Sequence, residues 1–240
     1  MATNTKPGSS DDTQLAQPLY TPIKRRSFFM YAGATAGATA LVLAGCSKDD
    51  DTMNPGTVSL GSGDVGVLNY AYALEQLEAA FYAKVVATPA TDFRTGELAY
   101  FQQVAKHEAI HRDFFKAAIN RDAPGKIITD LTPKFDTVDF TKRDSVLKTA
   151  QTFEDLGVAA YNGAGKLLKS GDYLLLAGKI VSVEARHAAY VRDLVSPGSF
   201  AADDQVSATT GLDKAMMPTD VIAAAQGFIT QTIDASSVGK

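Results

Sequence analysis

Four of the six glutamates in this 240-residue chain, Glu75, Glu108, Glu154 and Glu184, recur in a fixed order with two of its three histidines. His111 follows Glu108 by three residues, and His187 follows Glu184 by three. The series runs Glu, Glu-x-x-His, Glu, Glu-x-x-His, each member on a stretch with amphipathic helical period. Residues at i and i+3 share one helix face, so each pair aims a carboxylate and an imidazole in the same direction. Four helices that supply such a set can hold two metal ions between them. Without compensation, ionised carboxylates on an apolar stripe are costly, and close pairs repel at roughly 4 kcal/mol even at an effective dielectric near 20. Two divalent cations cancel four such charges. Carboxylate oxygens with one imidazole nitrogen per ion suit iron or manganese better than zinc, whose structural sites favour thiolates.

The helical period predicts four long helices over about Val65–Ala87, Gly96–Ile119, Lys142–Lys169 and Tyr173–Val195, with Asp172 as a plausible N-cap of the last. Arg121 to Phe140 contains Pro124, Gly125 and Pro133 and has no helical period, which suits a long crossover along a bundle. Pro218 opens one further short helix, Thr219 to Thr230. The expected fold is all-α: two antiparallel helical hairpins joined by a crossover into a four-helix bundle, plus a short C-terminal helix. A weak internal repeat supports two related hairpins. Tyr82 follows Glu75 by seven residues and Tyr161 follows Glu154 by seven, while the distances Glu75–Glu108 and Glu154–Glu184 are 33 and 30 residues.

Other residues on or near these stripes have competing readings. Glu78 is one turn from Glu75 and is an alternative ligand; the parallel between Glu75–Tyr82 and Glu154–Tyr161 favours Glu75. Tyr82 and Tyr161 read either as core aromatics or as donors that orient a ligand carboxylate. Glu97 sits in a first helical turn, where it meets the helix dipole favourably. His107 lies one step off its stripe and is expected at the surface.

The N-terminus carries a different message. Arg25 and Arg26 precede a short, weakly apolar run from Met30 to Gly45, the pattern of a twin-arginine export signal. The run is too short and too poor in large apolar residues for a permanent span. It ends in Leu43-Ala44-Gly45-Cys46, which resembles a lipobox, and by that resemblance Cys46 is the lipidated first residue of the mature protein. Cys46 is the chain's single cysteine, so intrachain disulfides and a four-cysteine iron site are excluded. Residues 46–63, beginning Cys46-Ser47-Lys48-Asp49-Asp50-Asp51, read as an acidic flexible tether. Its acidic run also resembles a surface-export signal of some Bacteroidetes lipoproteins. The expected organisation is a signal with lipobox over 1–45, the tether over 46–63, the bundle over 64–195, and a loop and short helix over 196–240. Residues 1–45 hold four of the 23 basic and two of the 27 acidic residues, so the mature chain carries a formal charge of −6. An acidic chain without a basic stripe is not expected to bind nucleic acid.

With these residues in view, the chain resembles the ferritin-like superfamily of di-iron and di-manganese carboxylate proteins. More narrowly it is similar to exported bacterial ferritin-like domains, some labelled desiccation-related. The segments that carry the narrower likeness are Leu68-Asn69-Tyr70-Ala71, Leu74 to Tyr82 and Phe153 to Asn162. By this resemblance the metal ligands are Glu75, Glu108, His111, Glu154, Glu184 and His187, with two iron or manganese ions as cofactors. Haem is not expected, because Met1, Met30, Met53, Met216 and Met217 all lie outside the four helices. Rubrerythrin-like cysteines are missing, and a lipid tether argues against a closed storage cage.

The resemblance implies an oxidoreductase centre that reacts with dioxygen or hydrogen peroxide, ferroxidase-like or manganese-catalase-like, in oxidative or desiccation stress. The alternatives are a non-enzymatic envelope protein that uses the ions for structure or sequestration, and a bundle that has lost metal altogether. The twin-arginine signal and the lipobox imply export across the cytoplasmic membrane and a lipid anchor at Cys46 in the cell envelope, periplasmic or at the cell surface. Twin-arginine cargo crosses folded, so iron or manganese can be loaded in the cytoplasm, away from ions that bind more tightly.

Overall fold

The computed structural model describes residues 56–240; Arg25, Arg26, Cys46 and the acidic run at 49–51 lie outside the described residues. Strand β1 (Thr57–Ser59) leads into four long helices, α1 (Gly63–Ala87), α2 (Glu97–Asp122), α3 (Arg143–Gly165) and α4 (Gly171–Val195). A short helix α5 (Pro218–Ala225), a 3-10 turn at Gln226–Phe228 and strand β2 (Thr232–Asp234) complete the described chain. Helix α1 packs along α2 and α3 along α4, and α1 meets α3 between the two hairpins. The fold is therefore the all-α four-helix bundle expected from the helical period. Among the described residues no helix is long and apolar enough to cross a membrane.

Helix α1 is the axis of the molecule. From Gly66 to Ala79 every residue is buried, so this helix is enclosed on all sides where its period predicted one buried face, and its interior polar residues need partners. One side faces the other helices, and the crossover covers another. Asn69 anchors that cover: its Nδ2 donates to the carbonyls of Leu60 (3.1 Å) and Lys126 (2.8 Å), and its Oδ1 accepts from the Ile128 amide (3.1 Å). A second clamp forms two turns further along the same face, where Gln76 Oε1 accepts from the Leu131 amide (2.8 Å). These bonds satisfy polar groups that a crossover pressed on an apolar helix would otherwise strand.

The last part of the segment read as a flexible tether is ordered. Thr57, Val58 and Ser59 pair in parallel with Thr232, Ile233 and Asp234, and Leu60 is fully buried. The β-branched residues suit a strand, but the partner that makes it one lies at the other end of the sequence. Two helix ends also differ from expectation. Ser170, not Asp172, caps α4, its Oγ accepting from the Tyr173 amide (3.3 Å). Helix α5 stops at Ala225 rather than running to Thr230, because the Gln226 side chain captures the following turn. Its Nε2 donates to the Gln231 carbonyl (2.8 Å), and its Oε1 accepts from the Ile233 amide (3.0 Å).

The loop between α4 and α5 folds back against α3. A Cβ on Gly163 would stand 1.7 Å from the Met216 carbonyl oxygen, so only glycine permits this approach. At one end of the bundle Phe81 packs against Phe153 (centroids 5.1 Å apart), Phe135 (5.8 Å) and Phe140 (5.7 Å). Such rings each contribute on the order of 1.5–3 kcal/mol by burial and hold the helices in register around the bundle centre.

Candidate metal centre

Each long helix sends one glutamate to the centre: Glu75 from α1, Glu108 from α2, Glu154 from α3 and Glu184 from α4. His111 and His187 accompany Glu108 and Glu184, one helical turn on. Glu108, Glu154 and Glu184 are 0 % exposed, Glu75 1 %, His187 5 % and His111 9 %. The six residues form two interlocking groups, Glu75–Glu108–His111–Glu184 and Glu108–Glu154–Glu184–His187, with the potential ligand atoms in each group all within 4.8 Å of one another.

Glu108 and Glu184 belong to both groups and reach each with a different oxygen. His111 Nδ1 lies 2.8 Å from Glu184 Oε1 and 3.4 Å from Glu108 Oε2. His187 Nδ1 lies 2.9 Å from Glu108 Oε1 and 3.7 Å from Glu184 Oε2. Glu75 completes the first group, 3.6 Å from His111, and Glu154 the second, 3.6 Å from His187. The arrangement has an approximate twofold relation that exchanges α1 with α3 and α2 with α4.

Close approach here does not mean hydrogen bonding. Glu75 Oε2, both oxygens of Glu108 and of Glu184, Glu154 Oε2, and Nδ1 of His111 and of His187 are buried without an aligned partner. Buried polar atoms are almost always paired, since each unmet group costs about 1–3 kcal/mol. Eight of them converging on one interior point fit coordination of cations, and the oxygen and nitrogen donor set fits two divalent ions.

The protonation energetics point the same way. Burial drives the Glu75 carboxyl well above the ordinary carboxylate range, with Glu184 and Glu108 adding to the rise. Glu154 is pushed up to about 8, again by burial first. Burial opposes charge on His111 and His187, but the surrounding carboxylates outweigh it and hold each up at about 12. At Glu108 burial is outweighed by the two histidines, which bring it down to about 2. Without cations, then, burial favours the protonated forms of Glu75 and Glu154, and the carboxylates favour the protonated forms of both histidines.

Two tyrosines cross between the hairpins. The Tyr82 hydroxyl, on α1, donates to Glu154 Oε1 on α3, and the Tyr161 hydroxyl, on α3, donates to Glu75 Oε1 on α1. Burial raises both phenols well above their ordinary value, so they stay protonated donors. Each occupies one oxygen of its carboxylate and leaves the other facing the centre.

Glu78 is buried but stands outside both groups, its Oε1 3.2 Å from where a Cβ on Gly157 would lie. Gly157 follows Glu154 by three residues as Glu78 follows Glu75. The repeat thus places a carboxyl on one hairpin against a glycine on the other, and the space this leaves accommodates Glu78. Burial raises its carboxyl well above the usual range, and the four central glutamates add to the rise.

Two residues do more than their sequence positions suggest. His107 is exposed, as expected, but its Nδ1 lies 2.9 Å from Nε2 of His187. With Nδ1 of His187 turned to the carboxylates, its Nε2 carries the proton and donates to His107. Burial and the neighbouring His187 lower the pKa of His107, which keeps its nitrogen free to accept. The i, i+4 spacing of His107 and His111 was the available signal, since it turns both rings to neighbouring faces. Glu97 lies in the first turn of α2, as expected, but it is also buried and paired with Arg143, whose Nη2 stands 2.7 Å from Glu97 Oε1. That pair joins the starts of α2 and α3, and Arg143 also donates to the Leu194 carbonyl at the end of α4 (3.1 Å).

No curated protein matches the chain. The family model for the ferritin-like domain matches residues 63–197, which cover the four helices and all six central residues. With more than half of its length matched, the chain belongs to the ferritin-like domain family.

Proposed function

We propose that this chain is an exported, lipid-anchored di-metal carboxylate protein of the desiccation-related ferritin-like branch. In this reading Glu75, Glu108, His111, Glu154, Glu184 and His187 hold two iron or manganese ions for redox chemistry with dioxygen or hydrogen peroxide. The observation that carries the reading is that Glu108 and Glu184, both fully buried, each turn one oxygen toward each histidine. When bound, a pair of such ions supplies Lewis acidity and exchangeable electrons. Glu108 and Glu184 serve as the shared carboxylates, and Glu75 and Glu154 as the end ligands. Tyr161 and Tyr82 hold the end carboxylates in one orientation, while the His107 contact selects the tautomer of His187. The apolar walls of the bundle exclude bulk water from the centre.

Arg25-Arg26 and the lipobox-like Leu43-Ala44-Gly45-Cys46 support export and anchoring through Cys46. Labelled fatty acid incorporated by the wild type and lost in Cys46→Ser tests the anchor. The metal reading is tested on protein recovered from its native host, by elemental analysis followed by assays of ferrous oxidation and peroxide breakdown. Two iron or manganese ions per chain with turnover of either substrate is the expected result. Tightly held ions without turnover would instead favour structural or sequestering use. Ion-free protein whose melting temperature ignores both added metal and chelator would overturn the assignment.

A further inference from the structure

The twofold relation that maps Glu75 onto Glu154 and Tyr82 onto Tyr161 also maps Phe81 onto Ala160. Carried from Glu108 onto Glu184, it maps Phe101 onto Ala177. Phe81 and Phe101 are fully buried and fill the Tyr82 end of the bundle, with centroids 5.0 Å and 6.0 Å from that of Tyr82. At the Tyr161 end both rings are replaced by alanines, and both alanines line a cavity. Its volume is about 20 Å³, counted as room for the centre of a water-sized sphere, which is space for one small molecule.

The lining chemistry decides what that molecule is. Apart from three tyrosine hydroxyls the walls are hydrocarbon, and those of Tyr161 and Tyr173 are already committed to Glu75 and Asp122. Tyr70 is 1 % exposed and its hydroxyl has no partner. A buried water needs two to four polar partners, and one phenol does not supply them. The space therefore favours a small apolar guest, and a single weak acceptor would suit the Tyr70 hydroxyl. Phe114, Leu168, Tyr173 and Leu176 in the wall are half-buried, so the cavity lies close to solvent. Its wall includes Tyr161, whose hydroxyl donates to Glu75, so of the two groups of ligands it lies against the one that contains Glu75.

We propose that this cavity is a binding site for dioxygen, feeding the Glu75–His111 side of the centre. The proposal rests on the oxidoreductase reading above and adds to it the substrate and the side of approach. It also gives the broken internal symmetry a use: two aromatic positions are emptied at one end and kept filled at the other.

Xenon is the probe, because it enters dry apolar cavities and needs no turnover. Crystals of the metal-loaded full chain under xenon pressure are expected to show the gas between Tyr70, Ala160 and Ala177. Restoring the ring in Ala177→Phe, or filling the space more gently in Ala160→Leu, is expected to exclude xenon and leave the ion content unchanged. Either variant should raise the oxygen concentration for half-maximal rate about tenfold, equivalent to about 1.4 kcal/mol. Xenon absent from the wild-type cavity while the centre reacts with dioxygen overturns the cavity proposal alone. So does a variant that excludes xenon with its oxygen dependence unchanged. Xenon present with no reaction toward dioxygen overturns the reading of the centre, and delivery of dioxygen falls with it.

Discussion

Nδ1 of His107 lies 2.9 Å from Nε2 of His187, and the planes of the two rings differ by 7°. Because His187 turns its other nitrogen to Glu108, 2.9 Å away, one exposed imidazole is linked through His187 to the buried carboxylates. The other half of the centre lacks this support: Val183, four residues before His187 as His107 is before His111, has no ring nitrogen to offer. His107→Ala is expected to weaken retention of one ion about 10- to 100-fold, the usual cost of losing such a partner, while the other ion is kept. Ion content after dialysis against graded chelator reads the difference, and His107→Gln, which keeps an acceptor, should restore part of it. Equal loss of both ions would count against the assignment.

Protons and metal compete for the centre, which sets a pH dependence of definite sign. Without metal, His111 and His187 are held up at about 12 and Glu154 at about 8, above their ordinary values of 6.5 and 4.5. The folded chain then binds more protons than the unfolded one, so this stability is complete below the ordinary values and is lost as pH rises through the folded ones. Glu108, at about 2, acts oppositely and only below 4.5. Metal must displace the same protons. Between about pH 5 and pH 8 the melting temperature of chelated protein is expected to fall while its gap from metal-loaded protein widens. At a metal concentration 100 times the dissociation constant that gap corresponds to about 2.7 kcal/mol. Scanning calorimetry with and without chelator checks it; a gap that is constant with pH would contradict the competition.

Tyr82 and Tyr161 are expected to be equivalent in stability and unequal in surroundings. Tyr82→Phe strands Glu154 Oε1 and Tyr161→Phe strands Glu75 Oε1, each at a cost of about 1–3 kcal/mol in metal-loaded protein. Denaturant unfolding of the two variants measures that cost. An unchanged midpoint would show that the phenols do not hold the carboxylates.

Glu97 and Arg143 give an acid-side test away from the centre. Burial tends to raise Glu97, but Arg143 and the Arg94 amide outweigh it and hold the carboxyl below its ordinary 4.5. A depressed acid adds stability that is complete above the unfolded value and is lost as pH falls through the folded one. Glu97→Gln leaves a buried guanidinium without its counter-ion and is expected to cost about 3 kcal/mol near neutral pH. Urea unfolding should show the gap between the variant and the wild type narrowing as pH falls below 4.5.

Helix number, the crossover and the set of glutamates and histidines that share buried faces were legible because a helix writes its buried face every three or four residues. Glu75 was distinguished from Glu78 by the repeated spacing to tyrosine, and the structure brings Glu75 alone within reach of the histidines. Side chains whose partners lie on another element were not legible. The place of Glu97 in a first helical turn gave no sign of Arg143 arriving from the next hairpin, and His107 looked merely exposed until His187 stood beside it. Thr57–Ser59 resembled a tether because its pairing strand comes from the far end of the chain.

Periodicity alone therefore established which carboxylates and imidazoles share a face, and so which helices must meet. Only the folded bundle decided how Glu108 and Glu184 divide their oxygens between two histidines, and which end keeps a cavity. Those properties belong to distances between elements, set by how side chains of unlike volume fill the space where the helices meet, and no single helix contains them.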